Sequence, residues 1–80
     1  MAHCILRLPA VKAATGLSRS SVYLRITQGA FPRPVSLGGR AVGWPEHEVA
    51  ALVAARIAGK PENEVRVLVA TLEAARKALS

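Results

Sequence analysis

Thr15-Gly16-Leu17-Ser18-Arg19-Ser20-Ser21-Val22-Tyr23 is the stretch on which the fold turns. Gly16 is free to take the positive φ that closes a helix. Two residues later Ser18 is a good N-cap for another helix, and Leu17 before it is placed to pack back on the preceding one. Upstream, Leu8, Val11 and Ala14 recur at every third residue with Lys12 and Ala13 outside the stripe. Pro9 fits a first helical turn, where its missing N–H would have had no partner. These features predict one helix over residues 8–15 and a second over 19–28, ended by Gly29. In the second, Val22 and Ile26 share a face while Ser20, Leu24 and Thr27 lie nearly opposite. Two short helices joined by a tight Gly-containing turn are the outline of a helix-turn-helix.

Beyond Gly29 the character changes. Phe31-Pro32-Arg33-Pro34 is held extended by its two prolines. Val35-Ser36-Leu37 and Ala41-Val42-Gly43-Trp44 are short alternating runs flanking Gly38-Gly39-Arg40, the pattern of a β-hairpin with a cation at its tip. A third helix is expected from Pro45, with Glu46 and Glu48 in its first turn, where the helix dipole favours anions, and Val49, Leu52, Val53 and Ile57 as its apolar stripe. A fourth runs from Pro61 to the end of the chain. Its Val65, Leu68, Leu72, Ala75 and Leu79 follow a heptad spacing that serves either a dimer seam or folding back on the third helix. The expected architecture is mainly α with a small β-hairpin: a winged helix-turn-helix over residues 1–60, then a C-terminal helix over 61–80 for packing or dimerisation.

Eighty residues with a formal charge of +6 make one modest domain. Residues 1–45 carry six basic side chains (Arg7, Lys12, Arg19, Arg25, Arg33, Arg40) and no Asp or Glu, whereas the acids and the remaining basic residues balance in 46–80. A half free of carboxylates suits a polyanion, because each neutralised phosphate releases condensed counterions. Cys4 is the sole cysteine, so no intrachain disulfide can form. With His3 and His47 it lacks any spacing suited to zinc. No apolar run is long enough to span a membrane and no secretion signal is evident, so a cytoplasmic protein without metal or cofactor is expected. Nor do the acids pair with a nucleophile or base as an active site requires, so no enzyme is expected.

The candidate contacts follow from this layout. Arg19 and Ser20 open the second helix behind the Ser18 cap, where a recognition helix presents side chains and amide dipoles to the major groove. Tyr23 and Thr27 follow one and two turns on, with Arg25 between them. Arg can grip guanine bidentately, and Ser, Thr and Tyr hydroxyls suit phosphates as well as bases. The bland alternative is that Arg19 and Arg25 are ordinary solvated cations. Arg40 at the hairpin tip suits the DNA backbone or a narrow minor groove, unless the Gly-Gly-Arg segment is only a turn. Arg33, between its prolines, is a further phosphate candidate. Phe31 and Trp44 read as core rather than as base-stacking platforms.

Taken together, Leu8-Pro9-x-Val11, then Thr15 through Tyr23, Gly29-x-Phe31-Pro32-x-Pro34-Val35, Leu37-Gly38 and Arg40-Ala41-Val42-Gly43-Trp44 resemble the AlpA family of prophage regulators, a family related to MerR-type winged helix domains and phage excisionases. The similarity spans roughly residues 5–58. It implies a transcriptional regulator, often tied to prophage or mobile-element excision, that binds DNA through a recognition helix over 18–28 and a wing over 35–44. Two departures stand out. Relatives usually have a basic residue where Leu24 stands and an apolar one where Arg25 stands, which here turns an apolar side chain to the groove and sets a cation beside the core. The tail from Pro61 is also longer than the family's minimal domain.

Sequence-specific binding of double-stranded DNA in transcription control is therefore the leading expectation, with a possible homodimer through the last helix and neither a membrane nor a small-molecule substrate as partner. An excisionase-like architectural factor would use the same contacts to bend DNA for a recombinase. An antitoxin-like or adaptor module would instead use the heptad face, with an affinity insensitive to salt.

Overall fold

The computed structural model describes residues 4–79, with side chains as far as Lys77; His3 and the Leu79 side chain lie outside the described residues. In chain order the elements are β1 (Ile5–Leu6), α1 (Leu8–Thr15), α2 (Arg19–Thr27), β2 (Val35–Gly38), β3 (Ala41–Pro45), α3 (Glu46–Ile57) and α4 (Glu62–Ala75), continued by a 3₁₀ turn over Arg76–Leu79. Four helices pack with a three-stranded antiparallel sheet of order β1-β3-β2. This is a winged helix-turn-helix with an added C-terminal helix.

The turn between α1 and α2 forms as its residues dictate. Gly16 adopts φ 73° and donates its N–H to the Lys12 carbonyl at 2.8 Å, a conformation costly to any residue with a Cβ. Ser18 then caps α2, its hydroxyl accepting the Ser21 N–H at 3.2 Å. The hairpin is the wing, turning at Gly39 and Arg40, with an irregular register between Ser36 and Gly38.

β1 is an element that sequence reading did not anticipate, because two residues are too short to show an alternation. It is held by long-range pairing: Ile5 lies opposite Pro45, Leu6 opposite Trp44, and the Cys4 carbonyl accepts the Glu46 N–H at 2.8 Å. The close approach explains Gly43. A Cβ there would overlap Ile5 Cγ2 and come within 3.0 Å of the Leu6 carbonyl oxygen, so the middle strand can pass under β1 only as glycine.

One core joins all the helices and the sheet. Val11, Val22, Phe31, Trp44, Val49, Leu52, Val65 and Val69 are buried, with Leu6, Leu8, Leu17, Ile26, Val53, Leu68 and Leu72 packed around them. Trp44 lies at its centre, fully buried and edge-on to both Phe31 and Tyr23, and its indole N–H donates to the Pro32 carbonyl at 2.9 Å. Phe31 and Trp44 are thus core residues.

The heptad face of α4 folds back on the domain. Val65 is fully buried, and Leu68 and Leu72 pack against the core. Val69, off the expected seam, is buried instead of Ala75, which is exposed. A dimer seam on Val65, Leu68 and Leu72 would therefore have to displace their packing within the chain. The α3 stripe also stops early. Ile57 is 82% exposed, because α3 ends there and α4 covers the Leu52 side of that helix.

The end of α4 is clasped to the segment between α2 and the wing. Glu48 is completely buried, and both its oxygens are taken by Arg76, from Nε at 2.8 Å and Nη2 at 2.6 Å. Those hydrogen bonds, reinforced by the Glu48 and Glu73 charges, hold the Arg76 guanidinium above its ordinary pKa despite partial burial. Arg76 Nη2 also donates to the Arg33 carbonyl at 2.7 Å, and the Arg33 N–H donates to the Glu73 carboxylate at 2.7 Å. At the other end of α4, Arg66 Nε donates to the Gln28 carbonyl at 3.0 Å, closing the C-terminus of α2. The dipole position expected for Glu48 is thus only part of its role: its carboxylate anchors the tail.

Candidate nucleic-acid interface

α2 presents two different faces because its sequence is not symmetric about its axis. Val22 is fully buried and Ile26 packs on the core. On the other side Ser18, Arg19, Ser20, Tyr23, Leu24 and Thr27 are exposed. At the start of the helix the Ser18 hydroxyl accepts from the Ser21 amide and donates to the Ser21 hydroxyl at 3.0 Å, and the Ser18 carbonyl accepts from Val22. The amides of Arg19 and Ser20, in the first turn, have no acceptor within the helix, and they give this end a positive pole.

Arg19 is oriented by its neighbour one turn on. Its guanidinium lies 5.8 Å from the centre of the Tyr23 ring, and that ring stands edge-on to Trp44 with centroids 6.4 Å apart. The Arg19 stack therefore rests on the core through Tyr23, which also ties α2 to the base of the wing. A cation over an aromatic face is attracted by the ring quadrupole, which reduces the freedom a long side chain would otherwise lose on binding. Thr27 turns its hydroxyl back to the Leu24 carbonyl at 2.6 Å.

The remaining cations divide. Arg40 is exposed at the wing turn and Arg33 is exposed beside the start of β2. Arg25 is set apart from the outward face. It is half-buried, lining an apolar cavity of about 330 Å³ with Ala14, Leu17, Phe31, Leu52 and Arg56. Its charge acts on Glu62, whose carboxyl is held below the usual range first by the hydrogen bond from Arg56 at 3.1 Å and then by the charges of Arg56, Arg66 and Arg25. At the two neighbouring positions Leu24 is 58% exposed while Arg25 is drawn toward the body.

Among the described residues no group of His, Cys, Asp and Glu is arranged to hold a metal ion, and no helix is long and apolar enough to cross a membrane. The candidate interface is thus a helix with a capped, exposed N-terminus, an aromatic-backed arginine beside it, and a wing with a cation at its turn. Among the described residues, the carboxylate-bonded guanidinium groups are those of Arg56 and Arg76 rather than those of Arg19, Arg33 or Arg40.

Comparison with known proteins agrees with this architecture. The chain is 53% identical over 52 residues to "Uncharacterized protein ORF88" of Enterobacteria phage P4, a match covering 65% of this chain and 59% of that relative. The chain thus accounts for less than two thirds of the phage protein's length. Residues 4–57, which take in β1, the helix-turn-helix, the wing and α3, match the family described as prophage CP4-57 regulatory protein (AlpA), and the chain belongs to that family.

Proposed function

We propose that this protein binds double-stranded DNA sequence-specifically as a small transcriptional regulator, with α2 in the major groove and the β2–β3 wing against the adjacent backbone or minor groove. The observation that carries this reading is the exposed face of α2, with Arg19, Ser20, Tyr23 and Thr27 behind a Ser18 cap, in the half of the chain that has no carboxylate. Arg19 is the base reader and Arg33 and Arg40 are backbone contacts. Membership of a family of prophage regulatory proteins supports the same assignment.

The test is a fluorescence titration with a duplex selected from random sequence, repeated across salt concentrations. With Arg33 and Arg40 neutralising two phosphates, the logarithm of the association constant should fall with a slope of about −1.8 against the logarithm of salt, or about 12-fold between about 50 and about 200 mM. An affinity indifferent to salt would reject the electrostatic interface and favour a protein-interaction module.

Substitutions separate the roles. Arg19→Ala should cost about 1–3 kcal/mol on the selected site and relax the preference at one base pair. Arg40→Ala should weaken selected and random duplexes to the same degree and lower the salt slope by about one. Small, equal losses from both variants on both kinds of DNA would remove the distinction between reading and positioning.

A further inference from the structure

We infer that Leu24 is a specificity-determining residue that reads the C5-methyl group of a thymine, an inference that rests on the DNA-binding assignment above. Leu24 stands in the middle of the outward face of α2, one turn from Ser20 and from Thr27, and is 58% exposed. It takes no part in the core, which α2 reaches through Val22 and Ile26 on the opposite side. Single exposed leucines are common on protein surfaces. This one is distinguished by its position on the helix face that enters the groove.

The chemistry then selects the base. In the major groove each base pair presents hydrogen-bonding atoms, and thymine alone also presents an apolar group. A leucine has neither donor nor acceptor. Pressed against the edges of guanine, cytosine or adenine, it would strip water from polar atoms and return no hydrogen bond. Against a thymine methyl it buries apolar surface on both partners. Leu24 therefore favours thymine by contact and penalises the other bases by desolvation. Thr27 assists, since its hydroxyl is already satisfied by the Leu24 carbonyl at 2.6 Å and does not compete as a donor at that spot.

The experiment begins with selection from random duplex DNA using the full chain, in parallel for the wild type and Leu24→Ala. Deoxyuridine then replaces each thymine of the wild-type site in turn, which removes only the methyl group. One replacement should weaken wild-type binding about four-fold, the size expected for one buried methyl group, and leave Leu24→Ala unaffected. The Leu24→Ala selection should lose its thymine preference at that same position. Because Leu24 lies outside the core, circular dichroism should show the variant folded. The inference is overturned if no deoxyuridine substitution distinguishes the two proteins, or if the methyl sensitivity persists in Leu24→Ala. If the wild type enriches no motif at all, the DNA-binding assignment fails and this inference falls with it.

Discussion

Replacing Arg76 by alanine should destabilise the domain by about 3–5 kcal/mol, a large part of the roughly 5–15 kcal/mol available to a small protein. The loss comes less from the attraction removed than from what is left behind. Glu48 is fully buried, and both its oxygens depend on the Arg76 guanidinium. Without that partner a carboxylate is stranded in the core, where water cannot reach it. The bonds from Arg76 to the Arg33 carbonyl and from the Arg33 amide to Glu73 would loosen together, freeing the tail and the approach to the wing. The double replacement Glu48→Leu with Arg76→Leu should recover most of the loss, since it removes the stranded charge as well as the pair. Urea unfolding followed by circular dichroism measures both. A loss below about 1 kcal/mol in Arg76→Ala would mean that the pair behaves like a surface salt bridge and that α4 is held by its apolar face alone.

That clasp also marks where sequence reading stops. The helix-turn-helix was legible because its signals are local: a helix-ending Gly16, a capping Ser18 and a 3.6-residue periodicity act within a few positions of one another. The outward set on α2 followed from the same periodicity, and the wing from its Gly-Gly-Arg turn. The outward place of Leu24 came from periodicity too, whereas the place of Arg25 beside the core was legible only through resemblance, because periodicity assigns a face and not the groove that Arg25 lines. β1 was missed because its two residues gain their order from a strand far along the chain. The Glu48–Arg76 pair was missed because its partners are 28 residues apart, and a glutamate in a first helical turn already has a local explanation. Along α4 the heptad spacing gave the apolar side but not its limits: packing on α3 buries Val69 and leaves Ala75 outside.

Trp44→Ala should cost a further 3–5 kcal/mol in its own right, or about that range for an aromatic side chain removed from a core, and it should disable the interface as well as the fold. Trp44 is the sole tryptophan and is fully buried. It touches three parts of the molecule at once: Phe31 before the wing, Tyr23 on α2, and the Pro32 carbonyl through its indole N–H. Losing it leaves a cavity at the junction of α2 with the wing and removes the ring against which Tyr23 rests. Tyr23 in turn backs the Arg19 guanidinium, so DNA affinity should fall even in whatever fraction remains folded. Trp44→Phe separates the two effects. It keeps an aromatic ring near Tyr23 but cannot donate to Pro32, so it should cost about 1–3 kcal/mol for the unpaired buried carbonyl, in addition to the smaller ring. Its DNA affinity, measured where the protein is fully folded, should stay close to wild type. The measurements are chemical denaturation read by circular dichroism, since the tryptophan signal is gone, and anisotropy with labelled duplex. If folded Trp44→Phe lost DNA affinity as severely as Arg19→Ala, Trp44 would be acting on the interface through its N–H rather than through its ring, and the Arg19–Tyr23–Trp44 stack would not be what positions Arg19.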